Sequence, residues 1–475
     1  MTRPLFTAFI IRPLFALCIG LFSFANGFSQ PVTVTGTAPG AEKRAIRLIT
    51  WSDLITFSET IVAQTMVDST GSFSMTFTLP AACYMAVAID LHRSELYMQP
   101  GESYRMKIAP IDYTGNLEVN PFILSQNLDI ELINPGEDEL NIWIRAYDDK
   151  YNQFLLDHFN ALYLERKKNW LDTFRLQVNS LYAGVQQPYF RSYMRYKTAG
   201  LEQIAHARSN ADLAKTYFMD QPILYGNVEY MQFFNNFFSK YLTVTSDILR
   251  KTDLNPILRG SKPYPALMKA LAADSVLRNE SLRELVLLKG LYELFYSHKD
   301  LQEYIIRILE TISKGSMVEK NRQIAGNMYR KVTQLRPGTR APEFTLVGRK
   351  KDERIPLSAF TGKPVVLNFW TTYCEGCLSE MDLEVPIYEK YKDRVAFISI
   401  CADKYWIQMN YYAMVKPQYA WTLLHFSDNT DVLVDYNVRS YPLYFLIDEH
   451  GDIFRYPAPM PSEGLEAAIE EMLQQ

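Results

Sequence analysis

Cysteine is scarce, five in 475 residues, which excludes a scaffold stapled by disulfides and leaves stability to an apolar core. Histidine is scarce as well: the six are scattered, and none falls in a recognisable triad. With no second Cys-x-x-Cys and no His pair, the four ligands of a zinc site are not assembled. Charge of one sign is lacking too: the net value of −4 removes the electrostatic case for nucleic acid. Fixed-period repeats and low-complexity tracts are absent. The one N-terminal apolar run, Leu14 to Phe24, is short against the ~20 residues that a bilayer span needs.

That run, preceded by Arg3 and Arg12 and followed by Ala25-Asn26-Gly27, reads as a secretory signal peptide over residues 1–27, cut after Gly27. An uncleaved anchor facing the periplasm is the alternative. Cys18 follows Leu17, which is not small, so a lipoprotein reading is set aside. The remaining chain is too long for one ordinary domain. Residues 31–125 alternate apolar with polar or small side chains, as in Phe73-Met75-Phe77-Leu79 and Met85-Val87-Ile89. This predicts an antiparallel β domain, sandwich-like or barrel-like. Residues 130–335 predict an all-α domain. Leu140, Ile144, Tyr147, Tyr151, Leu155, Phe159 and Leu162 form one helical stripe, and Tyr230, Phe233, Phe234, Phe237, Phe238 and Tyr241 another, read as core packing rather than a ligand wall. Loops are expected at Gly184 to Pro188 and Gly260 to Pro265. A turn-rich linker, Arg336 to Pro342, leads to residues 337–475, where strands and helices alternate as in an α/β fold with a mixed central sheet.

Within that last part, the apolar run Val365-Val366-Leu367 precedes Phe369-Trp370-Thr371-Thr372-Tyr373-Cys374-Glu375-Gly376-Cys377, and a helical segment, Leu378 to Tyr391, follows. Strand, Cys-x-x-Cys and helix in this order place the first sulfur at a helix N-terminus. The unpaired N–H groups and partial positive charge there favour thiolate, lowering the thiol from a free value of roughly 8.5. The second sulfur, one turn on, is near enough to close a disulfide. Cys83 and Cys401 read as small core residues, and nothing supports a bridge between them.

Several further motifs occur in order: Pro337-Gly338-Thr339-Arg340-Ala341-Pro342-Glu343-Phe344, Gly362-Lys363-Pro364, Leu367-Asn368-Phe369-Trp370, Glu380-Met381 and Tyr441-Pro442-Leu443-Tyr444-Phe445-Leu446-Ile447-Asp448-Glu449-His450-Gly451. With the dithiol they make residues 337–475 resemble the TlpA/ResA-like thioredoxin family of envelope thiol–disulfide oxidoreductases. The resemblance implies that Cys374 is the nucleophile and Cys377 the resolving thiol. It implies that Pro442 is a cis-proline exposing the backbone of Tyr441 to an extended substrate, and that Trp370 covers the site. Trp370, Tyr373, Tyr441 and Pro442 would shape the substrate groove. Asn368 stands where thioredoxins carry a buried Asp that moves protons to the resolving cysteine. Asn cannot titrate, so that route is absent, although Asn is frequent there in the envelope branch. Tyr373 replaces the usual Trp.

Glu375 resembles the Cys-Glu-Pro-Cys variant and is the candidate acid–base group. Its charge would raise a neighbouring thiol by repulsion and so oppose the helix dipole, which leaves the sign of the net effect open. Glu380 reads as a surface acid or a second candidate. A peroxiredoxin would use Pro-x-x-x-Thr-x-x-Cys; Thr371 is in place, but Leu367 occupies the Pro position. An envelope binding protein with a redox-minor domain is the other rival. The expectation is an exported, periplasmic or envelope oxidoreductase, a reductase in pathways such as cytochrome c maturation. It would act on protein thiols and disulfides, draw electrons from an envelope donor dithiol, and need no bound cofactor.

Overall fold

Alternation along Ser72–Leu79 buries Phe73, Met75, Phe77 and Leu79 and exposes Ser74, Thr76 and Thr78, the pattern of a strand with one wet face. The turn before it is held by Asp68, whose carboxylate accepts from the Thr70 and Ser72 backbone N–H groups, with Gly71 at φ 77°. The computed structural model describes residues 29–474 apart from 91, 112–125, 137, 351 and 428; the signal segment lies outside the described residues.

Two sheets face each other as a sandwich. One runs in the order Ser72–Leu79, Gln30–Thr37, Ser103–Ile108, Ile130–Leu132. The other runs Glu59–Met66, Ala45–Trp51, Cys83–Ile89, His92–Met98, Gln126–Asn127. Their inner faces share one core that includes Val32, Val34, Leu48, Val87, Met98 and Met106. The last strand of each sheet has only two or three residues, too few for alternation to reveal, so the β region runs past residue 125.

Helices follow from Leu140. The first stripe forms the helix Leu140–Tyr163, but Phe159 is 51% exposed and stacks on Tyr163 rather than entering the core. The second stripe is core: Tyr230, Phe233, Phe234, Phe237, Phe238 and Tyr241 are all buried in one cluster with Leu285, Leu288 and Ile308. The expected loop ending at Pro265 closes earlier, because Pro263 opens the helix Pro263–Leu271. Proline is well suited to a first helical turn, where its missing N–H costs nothing.

Sandwich and helices are joined by buried polar contacts. Asp53, 5% exposed, accepts from the Thr56 N–H (2.6 Å), the Thr56 hydroxyl (2.6 Å) and the Asn327 side-chain amide (2.6 Å). Lys331 donates to the Thr56 carbonyl at 2.7 Å. Asp53→Ala strands the donors that Asp53 accepts from, and we expect it to cost about 2–4 kcal/mol; an unchanged urea midpoint would contradict that assignment.

From Thr345 the chain builds a seven-stranded sheet in the order Arg354–Pro356, Thr345–Val347, Thr422–His425, Ala396–Cys401, Val365–Trp370, Leu443–Ile447, Ile453–Ala458. The pairs Val365–Trp370 with Ala396–Cys401, and Ala396–Cys401 with Thr422–His425, are parallel; the other pairings are antiparallel. One face packs on the helix Thr430–Asp435 through Leu367, Phe369, Ile400 and Phe445. The other carries Val366, Trp370, Cys401 and Leu446 against the helices Glu375–Tyr391, Trp406–Val415 and Leu465–Met472. The Gln334 amide reaches back to the Asp435 carbonyl at 2.7 Å, tying this domain to the last long helix.

Candidate active site

All six residues of Val365–Trp370 are buried, as expected of a strand covered on both faces. Side chains alternate, so Asn368 lies on the same face as Val366 and Trp370, toward the dithiol helix Glu375–Tyr391. The strand delivers the chain to Cys374, the N-cap of that helix, with φ −88° and ψ 95°. Cys374 Sγ accepts the Cys377 N–H at 3.1 Å, as a capping oxygen would. A thiolate on Cys374 is thus met by an orphan donor and the positive end of the helix dipole. The two sulfurs are bonded, with Cα atoms 5.2 Å apart. Cys374 is partly exposed and Cys377 is 0% exposed, so only the first sulfur meets a partner from solution.

The Tyr441–Pro442 bond is cis. Tyr441 and Cys374 pack against the same cluster that holds Cys377 and Trp370. Burial raises the Tyr441 phenol, with Tyr373 next in effect, and its hydroxyl has no hydrogen-bond partner among the described residues. Tyr373 is 46% exposed and forms an outer rim. Trp370 corrects the expectation of a groove-forming cover. Its side chain is 0% exposed and lies 5.6 Å from the Tyr412 ring, so it supports the site from inside the core and presents no surface to substrate.

Glu375 is exposed in the first turn of the helix, where an acid suits the dipole. Glu380 accepts from the Ser462 N–H (2.9 Å) and hydroxyl (2.6 Å), tying the dithiol helix to the turn before Leu465–Met472. Thr371 is fully buried, and Leu367, at the position where a peroxiredoxin carries Pro, lies in the core on the opposite sheet face. Cys401 is fully buried and Cys83 partly so, both as free thiols. Burial, then the Asp403 carboxylate, pushes the Cys401 thiol well up.

Two acids were missed in the sequence. Asp403 is 0% exposed and accepts the Thr372 N–H at 3.0 Å, fixing the approach to the dithiol. Glu384 is 1% exposed, and one carboxylate oxygen accepts from Asn368 Nδ2 at 3.0 Å and from the Tyr444 hydroxyl at 3.0 Å. Burial pushes its carboxyl up to about 8 against the two hydrogen bonds, which act downward. Helical spacing could have found it, since Cys377, Met381 and Glu384 fall on one face at i, i+4 and i+7.

The Redoxin family model matches residues 336–471. Thioredoxin-like protein YneN of Bacillus subtilis is 32% identical over 134 residues, covering 27% of this chain and 76% of its own length. Thiol-disulfide oxidoreductase ResA of Geobacillus kaustophilus is 31% identical over 149 residues, covering 31% of this chain and 83% of its own. Among solved structures, a thiol:disulfide interchange protein from Bacteroides sp. is 24% identical with a TM-score of 0.27, covering 30% of this chain and 93% of that one. Through its C-terminal domain, the chain belongs to the ResA-like branch of the thioredoxin family.

Proposed function

We propose that this thiol–disulfide oxidoreductase works outside the cytoplasm, in the periplasm or cell envelope, as a reductant of protein disulfides. The observation that carries the reading is a partly exposed Cys374 sulfur capping a helix and joined to a buried Cys377. In the working direction, Cys374 thiolate attacks a substrate disulfide and the first substrate sulfur leaves. Cys377 then attacks the Cys374–substrate bond, releasing the reduced substrate and closing the enzyme disulfide. A donor dithiol in the envelope reopens it, so the chain needs no bound cofactor.

Export is supported by the signal-like residues 1–27. Protein substrates are supported by exposed Ile407, Tyr411 and Met414 along the helix whose Tyr412 packs on Trp370, a surface suited to an extended, partly unfolded chain. Tyr373, Tyr441 and Pro442 would border that substrate. Cytochrome c maturation, which requires cysteine pairs to be kept reduced, is a process that such an enzyme fits.

The test is the reduction potential of the Cys374–Cys377 pair in graded thiol buffers. A midpoint near or below about −250 mV agrees with a reductant, and one above about −150 mV makes it an oxidant. A pair that never cycles would leave a binding module in place of an enzyme.

A further inference from the structure

The core beneath the dithiol contains an acid that the disulfide chemistry above does not use. Glu384 sits seven residues after Cys377 on the same helix face, a rise of about 10 Å. Helical side chains lean toward the N-terminus, the end of this helix that carries the dithiol. The Glu384 carboxyl joins three elements of the site: the helix that carries both cysteines, the strand Val365–Trp370 through Asn368, and the strand Leu443–Ile447 through Tyr444. Asn368 and Tyr444 are direct partners across those two strands. Asn368 Oδ1 is buried with no hydrogen-bond partner among the described residues, so the polar group that Glu384 joins keeps one acceptor open.

Among the described residues Glu384 has no ion-pair partner. The groups acting on its carboxyl are the Tyr444 hydroxyl, the Asn368 amide and, from its own helix, the Glu380 carboxylate. Cys377 lies in the same buried cluster as Met381 and Tyr444. Two negative charges in such a layer cannot coexist cheaply.

We propose that Glu384 and Cys377 share one negative charge, so that Glu384 takes up a proton as Cys377 gives one up to attack the mixed disulfide. The proposal rests on Cys374 as the attacking and Cys377 as the resolving sulfur. In the step, the Cys377 S–H bond breaks and a proton is gained by the Glu384 carboxylate. The Cys377 thiolate forms the bond to Cys374, and the Cys374–substrate S–S bond breaks. The electron pair leaves on the substrate sulfur, which takes its proton from water. The carboxyl's position near 8 allows both of its states in the working range, as a proton-accepting group requires.

The experiment uses the full, reduced chain and 5,5′-dithiobis(2-nitrobenzoate). Attack by Cys374 releases one thionitrobenzoate; Cys377 then displaces the second, in a phase identified by its loss in Cys377→Ser. We expect Glu384→Gln to slow the second phase by about 10²-fold near neutral pH and to abolish its inflection near pH 8, while the first phase stays within about twofold of wild type. Tyr444→Phe keeps the carboxyl but removes a hydrogen bond that favours its ionised form, so the inflection should move to higher pH. This second variant decides the matter where Glu384→Gln does not fold. A Gln variant with the wild-type rate and profile, or a Phe variant with an unmoved inflection, overturns the proposal and leaves the dithiol reading standing. Absence of both phases in the wild type overturns both.

Discussion

Cys374→Ser is expected to lose disulfide-exchange turnover by on the order of 10³-fold or more, as enzymes do when the nucleophile is removed. Cys377→Ser should instead accumulate mixed disulfides with client proteins, because the first bond forms and nothing resolves it. The asymmetry follows from the site. Cys374 is reachable and its sulfur accepts the N–H of Cys377 at the helix start, whereas Cys377 is sealed in the core. Hydroxyl oxygen in Cys374→Ser keeps the cap but cannot form the disulfide. Alkylation of the reduced protein gives an independent reading of the same difference: Cys374 should react ahead of Cys83, whose thiol is pushed up by burial, and of buried Cys401. Full turnover by Cys374→Ser would sink the assignment.

The oxidised protein should lose stability as pH rises from about 5 to about 8. Glu384 has an ordinary carboxyl value of 4.5 in the unfolded chain and about 8 in the fold. Between those values the native state holds a proton that the unfolded chain has released. The contribution is therefore complete below the lower value and is lost as pH rises through the upper one. At about 1.4 kcal/mol per pH unit, the window is worth about 3–5 kcal/mol. Glu229 and Asp435 are raised as well, in both cases chiefly by burial, so the informative quantity is the difference between wild type and Glu384→Gln. The two should have similar denaturant midpoints at pH 5 and diverge toward pH 8, where the Gln variant is the more stable. Parallel curves across that range would mean that Glu384 ionises in the fold as readily as in the unfolded chain.

What could be read in advance was local. Val365 to Cys377 carries its own strand signal, its dithiol and its helix start, so the position of Cys374 followed without knowledge of any distant residue. The mixed sheet was legible in part for the same reason: the central strand Val365–Trp370 opens on a continuous apolar run, whereas the three-residue edge strands Thr345–Val347 and Arg354–Pro356 are too short to carry a signal. Asn368 was marked by what it lacks, a titrating group. Its replacement was hidden because Glu384 reads as an ordinary helical acid until Asn368 and Tyr444, 16 and 60 residues away along the chain, are seen to converge on it. Trp370 was misjudged because a tryptophan near a site can equally form its rim or its floor, and only the placement of Tyr412 decides which. The union of sandwich and helices was illegible for a longer reason: Asp53 and Asn327 are separated by 274 positions.

The strand Gln30–Thr37 is an interior member of its sheet, flanked by Ser72–Leu79 and Ser103–Ile108. Synthesis delivers it before either neighbour exists. Its valines, Val32 and Val34, leave the ribosome with both hydrogen-bonding edges open and no surface to cover them. The parallel partner arrives only after roughly seventy further residues, a closure whose entropy must be met before any of its contacts form. Until Ile108 has been made, Val32 and Val34 therefore have no completed sheet to enter.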